Sequence, residues 1–111
     1  MAKNEAEIEK KLTTGVKDLG GLCLKWVSPG NAGVPDRIVI IRGAVFFVEL
    51  KTETGHLSAL QKNMIRKLIR QGMAVIVLYG EKDVDNFLES LKRLIHKYEV
   101  QSARLSEKTL S

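Results

Sequence analysis

From Ile38 to Leu50 only Arg42-Gly43 interrupts a run of apolar residues before Glu49. A glycine there suits a two-residue turn, so the stretch reads as a β-hairpin. If Ile41 pairs with Ala44 across the turn, counting back along both strands sets Asp36 opposite Glu49. Residues paired in this way share a face. Glu49 and Lys51, two apart in an extended strand, share it as well. Two acids and a lysine therefore converge at the edge of a hydrophobic sheet.

That convergence has an electrostatic cost. Two carboxylates about 5 Å apart repel by about 3 kcal/mol at an effective dielectric of about 20, so a fold that gathers them calls for a compensating cation. Oxygen-only ligands favour Mg²⁺ or Mn²⁺ over zinc. A hard divalent ion beside a lysine suits polarisation of a phosphodiester and activation of a water.

Composition sets the limits within which this site must be built. A chain of 111 residues is expected to form one domain, large enough for a real core and too small to split. The net charge of +5 and a pI near 9.5 favour a polyanionic partner, although the excess is modest and spread along the chain. Cys23 is the single cysteine, which rules out an internal disulfide, and its apolar neighbours point to a structural thiol rather than a nucleophile. No stretch approaches the roughly 18 apolar residues of a membrane span, and the polar start Met1-Ala2-Lys3-Asn4-Glu5 is not a signal peptide. The expected location is cytoplasmic.

In order, residues 4–19 place Ile8, Leu12, Val16 and Leu19 at helical spacing, and Gly20-Gly21 supplies a stop. Glu5 and Glu9 lie one turn apart on this helix, with Glu7 pointing elsewhere; solvated acids near a helix N-terminus account for all three on their own. Leu22 to Val27 reads as a first strand. Trp26 could stack on a base, but a lone tryptophan beside a strand more often packs in the core or at its rim. Ser28-Pro29-Gly30-Asn31-Ala32-Gly33 is a loop leading into Asp36. After the hairpin, Ser58 and Gln61 form a capping box at the start of a second helix through Leu60, Met64, Ile65 and Leu68, closed by Gly72. Gln61 thus has a structural explanation of its own, and His56 reads as an exposed loop histidine.

Ala74 to Tyr79 is a short apolar run, and strand, helix, strand in sequence form a crossover, so this last strand should lie parallel to the one bearing Glu49 and Lys51. Gly80 ends it. From Asp83, the residues Val84, Phe87, Leu88, Leu91, Leu94, Ile95 and Tyr98 give a third helix with a stripe wide enough to cover the sheet and leave room for a dimer contact. The domain is expected to span residues 1–98, followed by a polar, frayed tail over 99–111. The fold class is α/β, a mixed sheet of a three-strand antiparallel meander plus one parallel crossover strand, flanked by helices in the order αβββαβα.

This order, with Asp36 followed by Glu49-Leu50-Lys51, resembles the restriction-endonuclease-like PD-(D/E)xK nuclease superfamily. Within it, Gly33-Val34-Pro35-Asp36-Arg37, the strand ending Val48-Glu49-Leu50-Lys51, and Leu57-Ser58 leading to Gln61 resemble the VRR-NUC domain family. A Glu-x-Lys triplet alone carries no weight; its place at the end of a hydrophobic strand, thirteen positions after Asp36 and twelve before Gln61, does. The resemblance implies that Asp36 and Glu49 ligate a metal, Mg²⁺ or Mn²⁺, with the Leu50 main-chain carbonyl as a further ligand. Lys51 would orient or help deprotonate the attacking water, and Gln61 would match the family's glutamine. A first-helix glutamate completes such sites, and Glu5 and Glu9 are both candidates: Glu5 sits in the family's Glu-x-x-Ile pattern, Glu9 nearer the glycine turn.

Singly, each residue has a plainer account. Glu49 and Lys51 could be a strand-end ion pair worth at most about 1 kcal/mol if exposed, and Asp36 could begin a turn. Together they point to a metal-dependent endonuclease acting on DNA. Stand-alone members of the family resemble Holliday-junction resolvases, which implies branched DNA as substrate and a symmetric homodimer. Lys25, Arg37, Lys62, Arg66 and Lys67 are candidates to hold backbone phosphates. The alternatives are a non-catalytic DNA-binding module of the same fold and a monomeric nuclease for flap or linear DNA.

Overall fold

The computed structural model describes residues 3–110. Helix α1 (Glu5–Asp18) opens with a reciprocal capping box between Asn4 and Glu7, which satisfies two orphan N–H groups. Ile8, Leu12 and Val16 recur one turn apart on its inner face and are wholly shielded from water. Burial of each contributes about 1.5–3 kcal/mol, so these three fix how α1 lies on the sheet.

Strands β1 (Leu22–Lys25), β2 (Arg37–Ile41), β3 (Ala44–Lys51) and β4 (Ala74–Tyr79) form one sheet in that order. The first three pair antiparallel, and β3 pairs parallel with β4. The hairpin closes with Ile41 opposite Ala44 and runs in register to Arg37 opposite Val48. Arg42 and Gly43 both take positive φ, +45° and +80°, the combination a tight turn matched to strand twist demands. The first strand is shorter than its apolar sequence suggests. Trp26 still donates its N–H to the Asp36 carbonyl at 3.1 Å, but Pro29 and Gly30 then turn the chain away. Its indole packs on Phe47, with ring centroids 5.1 Å apart.

Side-chain alternation divides the sheet. Val39, Ile41, Val48, Leu50 and Leu78 face α1 and α3, where they join Ile8, Leu12, Val16, Val84, Phe87 and Leu91 in the core. The opposite face carries Leu22, Leu24, Ile38, Ile40, Val45 and Phe47, and α2 (Ala59–Arg70) packs chiefly over β4 at one side of it. Leu22, Leu24 and Val45 are consequently 56%, 46% and 42% exposed. Leu60, expected on the inner stripe of α2, is 58% exposed instead. The reason lies in the loop between β1 and β2. Gly33, at φ +83°, sits so close to the Leu60 carbonyl and the Gln61 N–H that a Cβ there would collide with backbone, and the first turn of α2 is held against that loop.

Helix α3 (Gly80–Leu110) begins immediately after β4 and continues for 31 residues. It starts three residues before Asp83, whose carboxylate accepts from the Tyr79 N–H at 2.9 Å and ties the helix start to the strand end. It also runs through the segment expected to fray. Residues 101–110 contain neither glycine nor proline and are mostly strong helix formers, so nothing in the sequence stops the helix at Tyr98. This last stretch is largely exposed.

Candidate active site

The site forms where the ladder between β2 and β3 gives out. Asp36, one residue before β2, turns a carboxylate oxygen onto the Leu50 N–H at 2.8 Å. This bond carries the expected register one step beyond Arg37 and brings Asp36 beside Glu49. The N–H and C=O of one strand residue point to the same side, so the Leu50 carbonyl is also directed toward Asp36. Glu49 alternates away from its core neighbours Val48 and Leu50, yet only 2% of it is exposed.

Three carboxylates meet here. Oxygens of Glu5, Asp36 and Glu49 all lie within 4.8 Å of one another. Glu5 arrives from the first turn of α1, exposed, with Asp36 half-buried and Glu49 buried, so the cluster opens to solvent on the Glu5 side. Glu9, the other first-helix candidate, is elsewhere. Its carboxylate accepts from the Arg37 guanidinium at 2.9 Å. That pairing was not foreseen from the sequence, which offered Arg37 as a phosphate contact; the structure turns its side chain to Glu9 and to the Cys23 carbonyl, 3.4 Å away.

Two further side chains hold Glu49. The Lys51 ammonium stands 3.6 Å from one of its oxygens, and Gln61 donates its amide to the same oxygen at 3.0 Å. Gln61 also accepts from the Ser58 N–H at 2.9 Å. One side chain therefore completes the cap of α2 with its oxygen and reaches the site with its nitrogen, joining the structural and functional readings of that residue.

Burial, then the Asp36 carboxylate, push the Glu49 pKa from 4.5 up to about 7, and Lys51 offsets only part of this. Near neutral pH Glu49 is therefore partly protonated. The donor set fits a hard dication: it is all oxygen, and an octahedral ion with ligands near 2.1 Å places its oxygens about 3 Å apart when adjacent and about 4.2 Å when opposite. Spacings within 4.8 Å need little adjustment to meet that. Burial raises the Cys23 thiol pKa, and its Sγ lies 3.9 Å from the Thr13 hydroxyl, as a structural cysteine should. Among the described residues, no helix is long and apolar enough to cross a membrane.

A mixed sheet whose third strand ends in Glu-x-Lys, with a preceding Asp set beside that Glu, defines a nuclease of the PD-(D/E)xK class. The chain belongs to the VRR-NUC family, whose domain model matches residues 9–82. That span takes in Asp36, Glu49, Lys51 and Gln61 and begins after Glu5. A protein of Acyrthosiphon pisum secondary endosymbiont phage 1 named "Putative nuclease p44" is 38% identical over 88 residues, covering 78% of this chain and 94% of the phage protein. A solved structure described as a VRR_NUC domain superposes with TM-score 0.73 at 31% identity, over 79% of this chain and 97% of that one. A second, described as a VRR_NUC domain protein, shares the fold at TM-score 0.65 and 19% identity, over 80% of this chain and 88% of the other.

Proposed function

We propose that this nuclease domain is a divalent-metal-dependent endonuclease that hydrolyses DNA phosphodiester bonds, with Mg²⁺ or Mn²⁺ held by Asp36, Glu49 and Glu5 and by the Leu50 carbonyl. The observation that carries the reading is the convergence of three carboxylates from three separate segments within 4.8 Å, beside an ammonium 3.6 Å from one of them. Such a gathering is unfavourable without a cation.

The bound ion supplies polarisation of the phosphodiester and a lowered pKa for water. The chain's own side chains do the rest. Lys51 holds its ammonium 3.6 Å from Glu49, beside the cluster, where it would orient the attacking water and steady charge growing on the phosphate. Gln61 keeps one Glu49 oxygen occupied from the α2 side and so sets which oxygen faces the metal. The net charge of +5 and the exposed Lys25, Lys62, Arg66 and Lys67 favour a polyanionic substrate bound through its backbone, with salt-sensitive affinity.

Branched DNA is the proposed preference, cut by a symmetric homodimer with one site per chain. The open apolar face of the sheet around Leu22, Leu24 and Val45 supports pairing of two copies, since monomers seldom expose contiguous apolar patches beyond a few hundred Å². The test is a cleavage panel of four-way junction, flap and linear duplex with Mg²⁺, Mn²⁺, Ca²⁺ or chelator, beside a sizing measurement. Metal-dependent nicking of the junction by a dimer, absent in Asp36→Ala, is expected. Binding with no cleavage under any ion would leave a DNA-binding module, and cleavage of flap or linear DNA by a monomer would reject the resolvase form.

A further inference from the structure

Glu9 and Arg37 stand outside the carboxylate cluster, yet each is tied to one of its members. Glu9 lies one helical turn after Glu5 on the same rigid helix face. Arg37 is the next residue after Asp36. Their ion pair, 2.9 Å between Arg37 Nε and Glu9 Oε2, joins α1 to the start of β2 and is largely shielded from water. Arg37 makes a second bond to the Cys23 carbonyl on β1, and the Glu9 carbonyl accepts from Thr13 Oγ1 at 2.9 Å. The Arg37 side chain is thus held from behind, and the Thr13 bond lies within the helix backbone that carries Glu9.

We infer that Glu9 and Arg37 act as a positioning pair, setting Glu5 and Asp36 at the separation the metal requires while touching neither metal nor substrate. Ile8, Leu12 and Val16 seat α1 on the sheet through apolar packing, and the ion pair adds a directional restraint along the sheet at the end that carries Glu5. On the far side Lys11 pairs with Glu81 and Asp85 of α3. Only the Glu9 bond ties α1, among the described ion pairs, to the strand that leads out of Asp36. Loss of either partner frees the first turn of α1 to move by a fraction of an ångström. Metal ligation tolerates little of that, and residues supporting ligands commonly govern affinity by about tenfold or more.

The inference rests on the metal-binding reading of the cluster, and its test separates the two. Mn²⁺ is titrated calorimetrically into the wild type, Glu9→Ala, Arg37→Ala and the double variant, each well below its melting temperature. Exchange of the Leu50 amide, which Asp36 accepts from, is followed in parallel without metal. Expected are about a tenfold weakening of Mn²⁺ binding in each single variant, no further loss in the double, and faster Leu50 exchange in all three. Glu9→Asp with Arg37 retained should recover part of the affinity. Unchanged Mn²⁺ binding and Leu50 exchange alongside a lowered melting temperature would reduce the pair to a structural brace and overturn the inference. Loss in Glu9→Ala with none in Arg37→Ala would overturn it too, since Glu9 would then act alone. A wild type that binds no Mn²⁺ would sink the metal reading, and Leu50 exchange would still decide the positioning.

Discussion

Glu49→Gln offers the sharpest physical test, because it removes a charge and keeps the shape. The buried Glu49 carboxyl titrates near pH 7 in the folded protein and near 4.5 in the unfolded chain. Between those values the folded state holds a proton that the unfolded state has released, so stability falls as pH rises through the window. At about 1.36 kcal/mol per unit, the penalty reaches about 3 kcal/mol once both states are ionised. A glutamine pays none of it, and its amide oxygen can still accept from Gln61. In chelator, the stability of Glu49→Gln minus that of the wild type should therefore be small at pH 4 and grow by about 3 kcal/mol by pH 8, or about 10 °C in Tm for a domain of this size. Thermal melts of both proteins across that range read it, and taking the difference cancels the titrating groups that do not interact with Glu49. Saturating Mn²⁺ should narrow the gap at pH 8 by stabilising only the wild type. A difference that stays flat from pH 4 to 8 would refute the claim that burial and Asp36 hold Glu49 near neutrality.

Lys51→Ala should lower turnover by about a hundredfold or more while leaving Mn²⁺ affinity within a few-fold, read by single-turnover cleavage beside calorimetry; an unchanged rate would remove it from the mechanism. Gln61→Ala breaks a cap and a site contact together, so a melt should show about 1 kcal/mol of lost stability and the cleavage rate should fall by more than that loss explains. Gln61→Glu, which keeps the cap acceptor but sets a carboxylate against Glu49, should retain most of the helix stability and little of the activity.

The sheet and the placement of Asp36 beside Glu49 were legible because strand alternation and a tight turn are strict. Once Arg42-Gly43 is taken as the turn, the register from Ile41 to Arg37 follows, and Asp36 falls beside Glu49 with no freedom left. The choice between Glu5 and Glu9 could not be read in the same way. They share a helix face, and which one reaches the end of β3 depends on how Ile8, Leu12 and Val16 seat α1 in a core assembled from distant segments. The partner of Glu9 was equally hidden, since an arginine after Asp36 looks like any basic residue near a nucleic acid. The end of α3 escaped because a polar run of good helix formers is compatible with either a tail or a continued helix. Leu60 escaped because its exposure is imposed by a loop that packs against its backbone rather than by its own pattern.

That loop, the stretch closed by Gly33, also bears on how such a domain could change over time. Because its backbone lies flush against the opening turn of α2, any side chain at position 33 would act as a wedge, and the displaced peptide would be the one carrying Gln61. A mutation with no charge and no reach of its own would thus speak to the buried glutamate through a shift of the main chain. A Cβ at Gly30, farther out in the same loop, meets nothing within 4 Å. The steric demand thus falls on the seam beside α2 and not on the outer part of the loop.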